Sequence, residues 1–307
     1  MKELLGRGRI LRADLEDAIG VLRQGDPQGV SRALELLQRT VLSFGIKVCG
    51  HREDAEDTAQ EVLLKSLPHL VHLDDPQSLS AWLYTAAKNR CWQTRRRASY
   101  RRSVALEDLM PAGDELSALL ADSGRSPEAI AASREDSRLL QQAVLELPPQ
   151  YRIVLVLHDM EELETEQVAR ILSLQTGTVR VRLHRARLML RREVNRLLRS
   201  EPRKSPAKKA AGARSADCRK IFANLSEYLD NRLQPGSCEK MRSHIESCPA
   251  CLVFIQDLKR AIDRCRALEV CPDAEVSPVL RRLLTEEYLR LLGDSPKNPA
   301  KKSSPRL

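Results

Sequence analysis

The amino-acid sequence predicts an all-α fold: three small helical modules joined by flexible linkers. Three observations carry this. Aromatics are only 3% of the 307 residues while hydrophobic residues reach 42%, which suits a Leu-rich helical protein better than a sandwich or barrel. Apolar residues recur at helical spacing. Charge-biased stretches containing Pro and Gly separate the periodic segments. The length allows two or three domains. Lys plus Arg number 51 against 42 acidic residues, a net charge of +9, and clustered positive charge favours a polyanionic partner. No apolar run approaches the roughly 18 residues of a membrane span. The start, MKELLGRGRILRADLEDAIG, lacks a signal-peptide core. A cytoplasmic location with no membrane contact is therefore expected. The eight cysteines then read as metal ligands or redox groups rather than as a disulfide framework.

The first module covers 1–102. Residues 53–61, EDAEDTAQE, place Asp54, Asp57 and Glu61 on one helix face. An acidic first turn also simply suits the helix dipole. Residues 81–102, AWLYTAAKNRCWQTRRRASYRR, set Trp82, Tyr84 and Trp92 among Lys88, Arg90, Arg95, Arg96 and Arg97. Aromatics interleaved with cations suit single-stranded DNA, whose bases stack on rings while phosphates pair with charge. Trp82, Trp92 and Tyr84 are also readable as core residues.

Residues 103–137 carry eight acidic residues and two Arg and read as an acidic linker. The second module covers 138–199. Val168, Ile171 and Leu172 make one apolar stripe, and Val179, Leu183, Ala186 and Leu190 another. Thr165 is placed to cap the earlier helix and Thr176 or Thr178 the later one. Two short helices on a tight turn would present an Arg-rich surface. Arg180, Arg182, Arg185 and Arg187 can then reach phosphates or guanine acceptors in a major groove. Thr176 and Thr178 stand at a helix start whose free N–H groups suit a phosphate.

Residues 200–216 are a basic tether rich in Lys, Ala and Pro. The third module covers 217–268. His244-x3-Cys248 and Cys248-x2-Cys251 give three ligands at the short spacing that tetrahedral zinc uses. Cys218 and Cys238 compete as the fourth. A module of this size with little apolar content gains greatly from a structural metal. Cys265 and Cys271 lack ligand spacing. The tail, 269–307, has a short helix predicted over 278–292. No Walker-type loop, nucleophile–base motif or HExxH occurs, so no enzyme is expected.

Residues 139–163 followed by TEQVARILSLQTGTVRVRLHRARLMLRREV resemble region 4 of bacterial sigma factors of the extracytoplasmic-function (ECF) type. The matching features are Leu147, Pro148 and Arg152, and the string from Gly177 to Arg187. The resemblance implies that this helix reads the −35 promoter element through Thr176, Thr178, Arg180, Arg182, Arg185 and Arg187. The family usually has Glu at Gln167 and Gly at Ser173. The first module resembles region 2. There Asp54, Asp57, Gln60 and Glu61 correspond to the surface that docks on core RNA polymerase. The Trp82–Arg97 helix, with Trp82, Tyr84, Lys88, Asn89, Arg90, Trp92, Arg95, Arg96 and Arg97, corresponds to the part that recognises and melts the −10 element. Gln93 replaces a usual Asp. The implied partners are core RNA polymerase and promoter DNA.

The third module resembles zinc-binding anti-sigma domains. These have a Cys, about 26 residues, then H-x3-C-x2-C, with a "YLD-x-x-L" helix between, here Tyr228, Leu229, Asp230 and Leu233. The resemblance makes Cys218, His244, Cys248 and Cys251 the zinc ligands and Cys238 an extra thiol. It also implies contact between this zinc domain and the sigma domains, either intramolecular or with a second molecule. Such a domain tunes the sigma factor either as a structural zinc module or through thiolate oxidation that releases zinc.

Overall fold

The computed structural model describes residues 12–72, 75–95, 134–198, 216–268 and 277–294. The acidic linker up to residue 133, the basic tether up to residue 215, Arg96, Arg97 and Cys271 lie outside the described residues, as does the side chain of Arg95. Every described element is helical. We number the α-helices α1 (Arg12–Gln24), α2 (Pro27–Cys49), α3 (Arg52–Leu70), α4 (Pro76–Arg95), α5 (Arg134–Glu146) and α6 (Pro149–Leu155). A π-helical turn, Val156–Met160, follows α6. Then come α7 (Thr165–Leu172), α8 (Thr176–Leu198), α9 (Ala216–Ala223), α10 (Leu225–Leu229), α11 (Pro235–Ser247), α12 (Pro249–Arg266) and α13 (Pro278–Asp294). Helix α5 begins a few residues inside the stretch read as linker. Helix α13 begins where the tail helix is expected and runs slightly further.

Two units divide the chain. The first takes α1–α4 and α13, and the second α5–α12 apart from Arg170–Leu172. In the first unit, Asp26 caps α2 by accepting from the Gly29 amide at 2.8 Å, and Pro27 occupies the first turn, where its missing N–H costs nothing. Helix α2 stops at Gly50, whose φ of 81° lets its amide donate to the Ile46 carbonyl at 3.1 Å. Glycine adopts this left-handed cap without steric cost. Gly45 brings α2 against α3: a Cβ there would stand 3.0 Å from the Ala55 Cβ. Leu34, Leu37, Phe44, Leu63, Leu67, Leu79 and Leu83 fill the core. Cys49 and Cys91 form a disulfide linking the end of α2 to α4. That corrects the expectation that the cysteines form no disulfide, since two residues 42 apart in sequence carry no spacing signal.

In the second unit, Pro148 and Pro149 end α5 and open α6. Arg152 is buried at 4% exposure, and its Nη2 donates to the Leu147 carbonyl at 2.9 Å, satisfying the break between the two helices. Ile153, Val154, Leu155, Val156 and Leu157 are fully enclosed. Helices α7 and α8 meet at a turn containing Ser173, whose φ is 55°. This is the position where the family's usual residue is Gly. A side chain in the left-handed region costs about 1–2 kcal/mol. Ser173→Gly is therefore expected to stabilise the second unit by roughly 1 kcal/mol, offset in part by unfolded-chain entropy. Chemical denaturation of the two proteins checks this.

Candidate nucleic-acid interface and metal centre

Helix α8 does two jobs along its length. Its first turns hold exposed Gly177, Thr178 and Arg180, with Thr176 and Arg182 half-buried. Val181 is 56% exposed. The opposite stripe, Val179, Leu183, Ala186 and Leu190, is buried, as its periodicity predicts. Arg185 is half-buried, with Nη1 3.4 Å from the Tyr151 hydroxyl.

Further along, α8 turns inward. Arg187 has no exposure. Its Nε and Nη2 grip Asp159 at 2.8 and 2.6 Å. Its Nη1 and Nη2 also donate to Asp230 at 2.9 and 2.7 Å, and Nη1 donates to the Ser226 hydroxyl at 3.1 Å. Arg266 stands 3.7 Å from Asp159. Burial alone would raise the Asp159 carboxyl, but the Arg187 charge and hydrogen bonds, with His158, hold it well below the usual range. Burial likewise opposes the Arg187 charge, and Asp159 and Asp230 outweigh it. One turn on, Arg191 Nε donates to Asp257 of α12 at 2.7 Å, and Asn195 donates to the same oxygen at 3.0 Å. The Arg191 guanidinium lies 4.3 Å from the Phe254 ring centroid, a cation–π distance. Arg232 donates to the Thr165 hydroxyl at 2.6 Å. Thr165 is thus the first residue of α7 rather than its cap, because the first carbonyl to accept is that of Glu164, from the Val168 amide at 3.0 Å.

His184 is buried, both its ring nitrogens lack hydrogen-bond partners among the described residues, and Phe222 packs against it edge-on at 5.8 Å. Burial, then the charges of Arg187 and Arg185, lower its pKa to about 4.

Cys218, His244, Cys248 and Cys251 converge, with ligand atoms all within 4.8 Å of one another. Cys218 Sγ lies 3.5 Å from His244 Nε2. Among the described residues Cys238 is outside this group. Cys218 sits on α9, His244 in the last turn of α11, and Cys248 at the extended joint before Pro249 starts α12. Cys251 then falls in the first turn of α12. Zn–S bonds of about 2.3 Å give tetrahedral edges of about 3.8 Å, so the donor set is compatible with zinc. Burial, the neighbouring thiols and their charge push the Cys251 thiol up to about 12. A dication among the sulfurs would reverse that, because it favours the thiolates.

In the first unit, Asp57 and Gln60 are exposed, and Asp54 and Glu61 half-buried. Glu61 holds Lys65 at 2.6 Å and Arg90 of α4 at 2.7 Å. The Lys65 bond lowers its pKa most; burial opposes it, and the charges of Arg90 and Lys65 add to the lowering. On α4, Asn89 is exposed and Trp92 is 39% exposed. Trp82 is half-buried, tilted against His69 at 5.1 Å.

Three known families match the chain. "Sigma-70 region 2" matches residues 33–101, "Sigma-70, region 4" residues 137–190, and "Putative zinc-finger" residues 218–252. The ECF RNA polymerase sigma factor SigW of Bacillus subtilis (strain 168) is 30% identical over 187 residues, 60% of this chain and 98% of that protein. The chain belongs to the ECF sigma factor family. The RNA polymerase sigma factor YlaC of the same strain is 30% identical over 51% of this chain and 86% of its own length. The RNA polymerase sigma-H factor of Pseudomonas aeruginosa is 29% identical over 56% of this chain and 91% of that protein.

This sigma factor thus carries a region 2, a region 4 and a C-terminal zinc-finger-type segment in helical form. Among the described residues, no helix is long and apolar enough to cross a membrane. Three expected DNA-facing residues are corrected. Arg187 is enclosed by carboxylates. Tyr84 is 5% exposed, edge-on to Phe44 at 4.9 Å, so it is a core residue. Lys88 is 7% exposed, its Nζ 5.9 Å from the Trp92 centroid, and burial lowers its pKa. Sequence reasoning missed Asp159, Arg191 and Asp257, because their partners are distant in sequence. For Tyr84 a signal existed: with Leu83, Ala87 and Cys91 it continues a helical core stripe.

The second unit should lose stability on acidification in a defined window. The unfolded His184 protonates near its ordinary 6.5, while the folded one resists until about 4. A base with a depressed folded pKa contributes stability above its unfolded pKa and loses it as pH falls through the folded one. His184→Phe is expected to flatten the pH dependence between 6.5 and 4 relative to the parent. Acid loss of metal affects both proteins alike, so the difference between their thermal melts isolates the imidazole.

Proposed function

We propose that this sigma factor binds core RNA polymerase through Asp54, Asp57, Gln60 and Glu61 on α3, and directs it to promoters through two DNA-facing surfaces. The −35 duplex is read by Thr176, Thr178, Arg180, Arg182 and Arg185 at the start of α8. The opened −10 strand meets Trp82, Asn89, Arg90 and Trp92, continued by Arg95, Arg96 and Arg97. The observation that carries this reading is the α7–turn–α8 pair, with Thr178 and Arg180 exposed at the start of its second helix. Major-groove recognition uses that part of a second helix. The chain works in the cytoplasm as an initiation factor and catalyses no reaction of its own.

Zinc held by Cys218, His244, Cys248 and Cys251 has a structural role in this reading. Four protein ligands leave no open position for metal catalysis. The zinc domain is an intramolecular partner of region 4, supported by the Arg187–Asp230 and Arg191–Asp257 pairs. Its contact lies from His184 onward on α8, beyond the exposed first turns. In this reading sigma region 2 lies within 1–102, region 4 within 138–199 and the zinc domain within 217–268, although α5 and the region 4 match begin slightly before 138.

Promoter-dependent transcription with purified core enzyme tests the proposal. Asp57→Arg should abolish the transcript while leaving duplex binding intact. Arg180→Ala should weaken duplex binding by about 1–3 kcal/mol if it reads a base, or reduce the salt slope by about one if it holds a phosphate. A parent protein that yields no promoter-dependent transcript, yet binds duplex alone, would make the chain a polymerase-independent regulator.

A further inference from the structure

Helix α13 has no task in the function described above, yet it is firmly seated. It packs in the first unit against α2 and α3. Leu284 and Tyr288, one turn apart, are 0% and 1% exposed. The Tyr288 hydroxyl donates to the Leu22 carbonyl in the last turn of α1 at 3.2 Å. The same carbonyl accepts from the Gly25 amide at 3.3 Å, so Tyr288 adds a second donor at the end of α1. Arg281 pairs with Glu35 of α2 at 2.6 Å. Leu292 fits against Gly25, where a Cβ would stand 2.9 Å from its Cδ2. The Arg281–Glu35 and Tyr288–Leu22 contacts join residues 246 and 266 apart in sequence.

Two facts give this docking a meaning. The region 2 match covers 33–101, so α1 and α13 both lie outside it. The outer side of α2 is thus completed by two helices that the family match does not include. Meanwhile Asp57 and Gln60 stay exposed with α13 in place.

We propose that α13 is an intramolecular brace. The groove formed by the α1–α2 turn, α2 and α3 is a docking site for the chain's own C-terminal helix. The brace holds the polymerase-docking module in shape and leaves its acidic edge open. The seating stands on its own contacts, and the statement about the polymerase rests on the function proposed above.

Hydrogen exchange read by mass spectrometry on the full chain tests the brace, with core-enzyme association measured beside it. Arg281→Glu and Tyr288→Ala should each speed exchange several-fold in peptides covering 18–26 and 33–41. The charge swap Arg281→Glu with Glu35→Arg should restore slow exchange, which general destabilisation would not. Association with core enzyme should be unchanged or reduced in the single variants. Unchanged exchange in both single variants overturns the seating. Tighter core-enzyme association in them overturns the brace in favour of a mask. Failure of every form to bind core enzyme, with the exchange effects intact, overturns the polymerase half of the proposal together with the initiation reading.

Discussion

A guanidinium buried without exposure constrains the whole second unit. Taking Arg187 out of water costs several kcal/mol unless its donors are matched. Asp159 supplies a bidentate partner from the π-helical turn, and Asp230 supplies another from the end of α10. Removal of one partner from such a cluster leaves an uncompensated charge and typically costs about 3–5 kcal/mol. The cluster therefore fixes where the zinc-finger segment sits on α8. Arg191 with Asp257 and Phe254 extends the same contact by one turn.

This division gives α8 a physical logic. A helix of 23 residues spans about 35 Å, long enough to serve two partners. The first turns keep Thr178 and Arg180 exposed. The later turns commit their cations to carboxylates and an aromatic ring. Metal binding and folding are linked in such small modules, because ligands scattered in the unfolded chain cannot bind zinc together. With a metal bound, the four donors Cys218, His244, Cys248 and Cys251 would tie together the helices that carry Phe222 and Asp257. In the first unit the Glu61–Arg90 pair ties α3 to α4 in the same way.

Much of this was legible in the sequence because the relevant signals are local. The apolar stripe from Val179 to Leu190, the Pro148–Pro149 break and the H-x3-C-x2-C spacing each fix a structural feature within a few turns. Ser173 showed where the family's Gly should be, and its φ of 55° carries that cost. Long-range pairing was not legible. Nothing near Arg187 distinguishes it from Arg180, which lies two turns earlier on a similar face. Its partners stand 28 and 43 residues away. The Cys49–Cys91 pairing is equally invisible to spacing. Tyr84 misled for another reason: cations around it suggested nucleic acid, while its own register on α4 placed it beside Phe44.

A double-mutant cycle between Arg187 and Asp230, in the full chain with zinc present, addresses the central claim most directly. Arg187→Met, Asp230→Asn and the double variant would be compared by chemical denaturation of the second unit. The account predicts a coupling energy of about 1–3 kcal/mol. Simple additivity of the two single effects would contradict it, because the zinc domain would then not be held on region 4 through this charge.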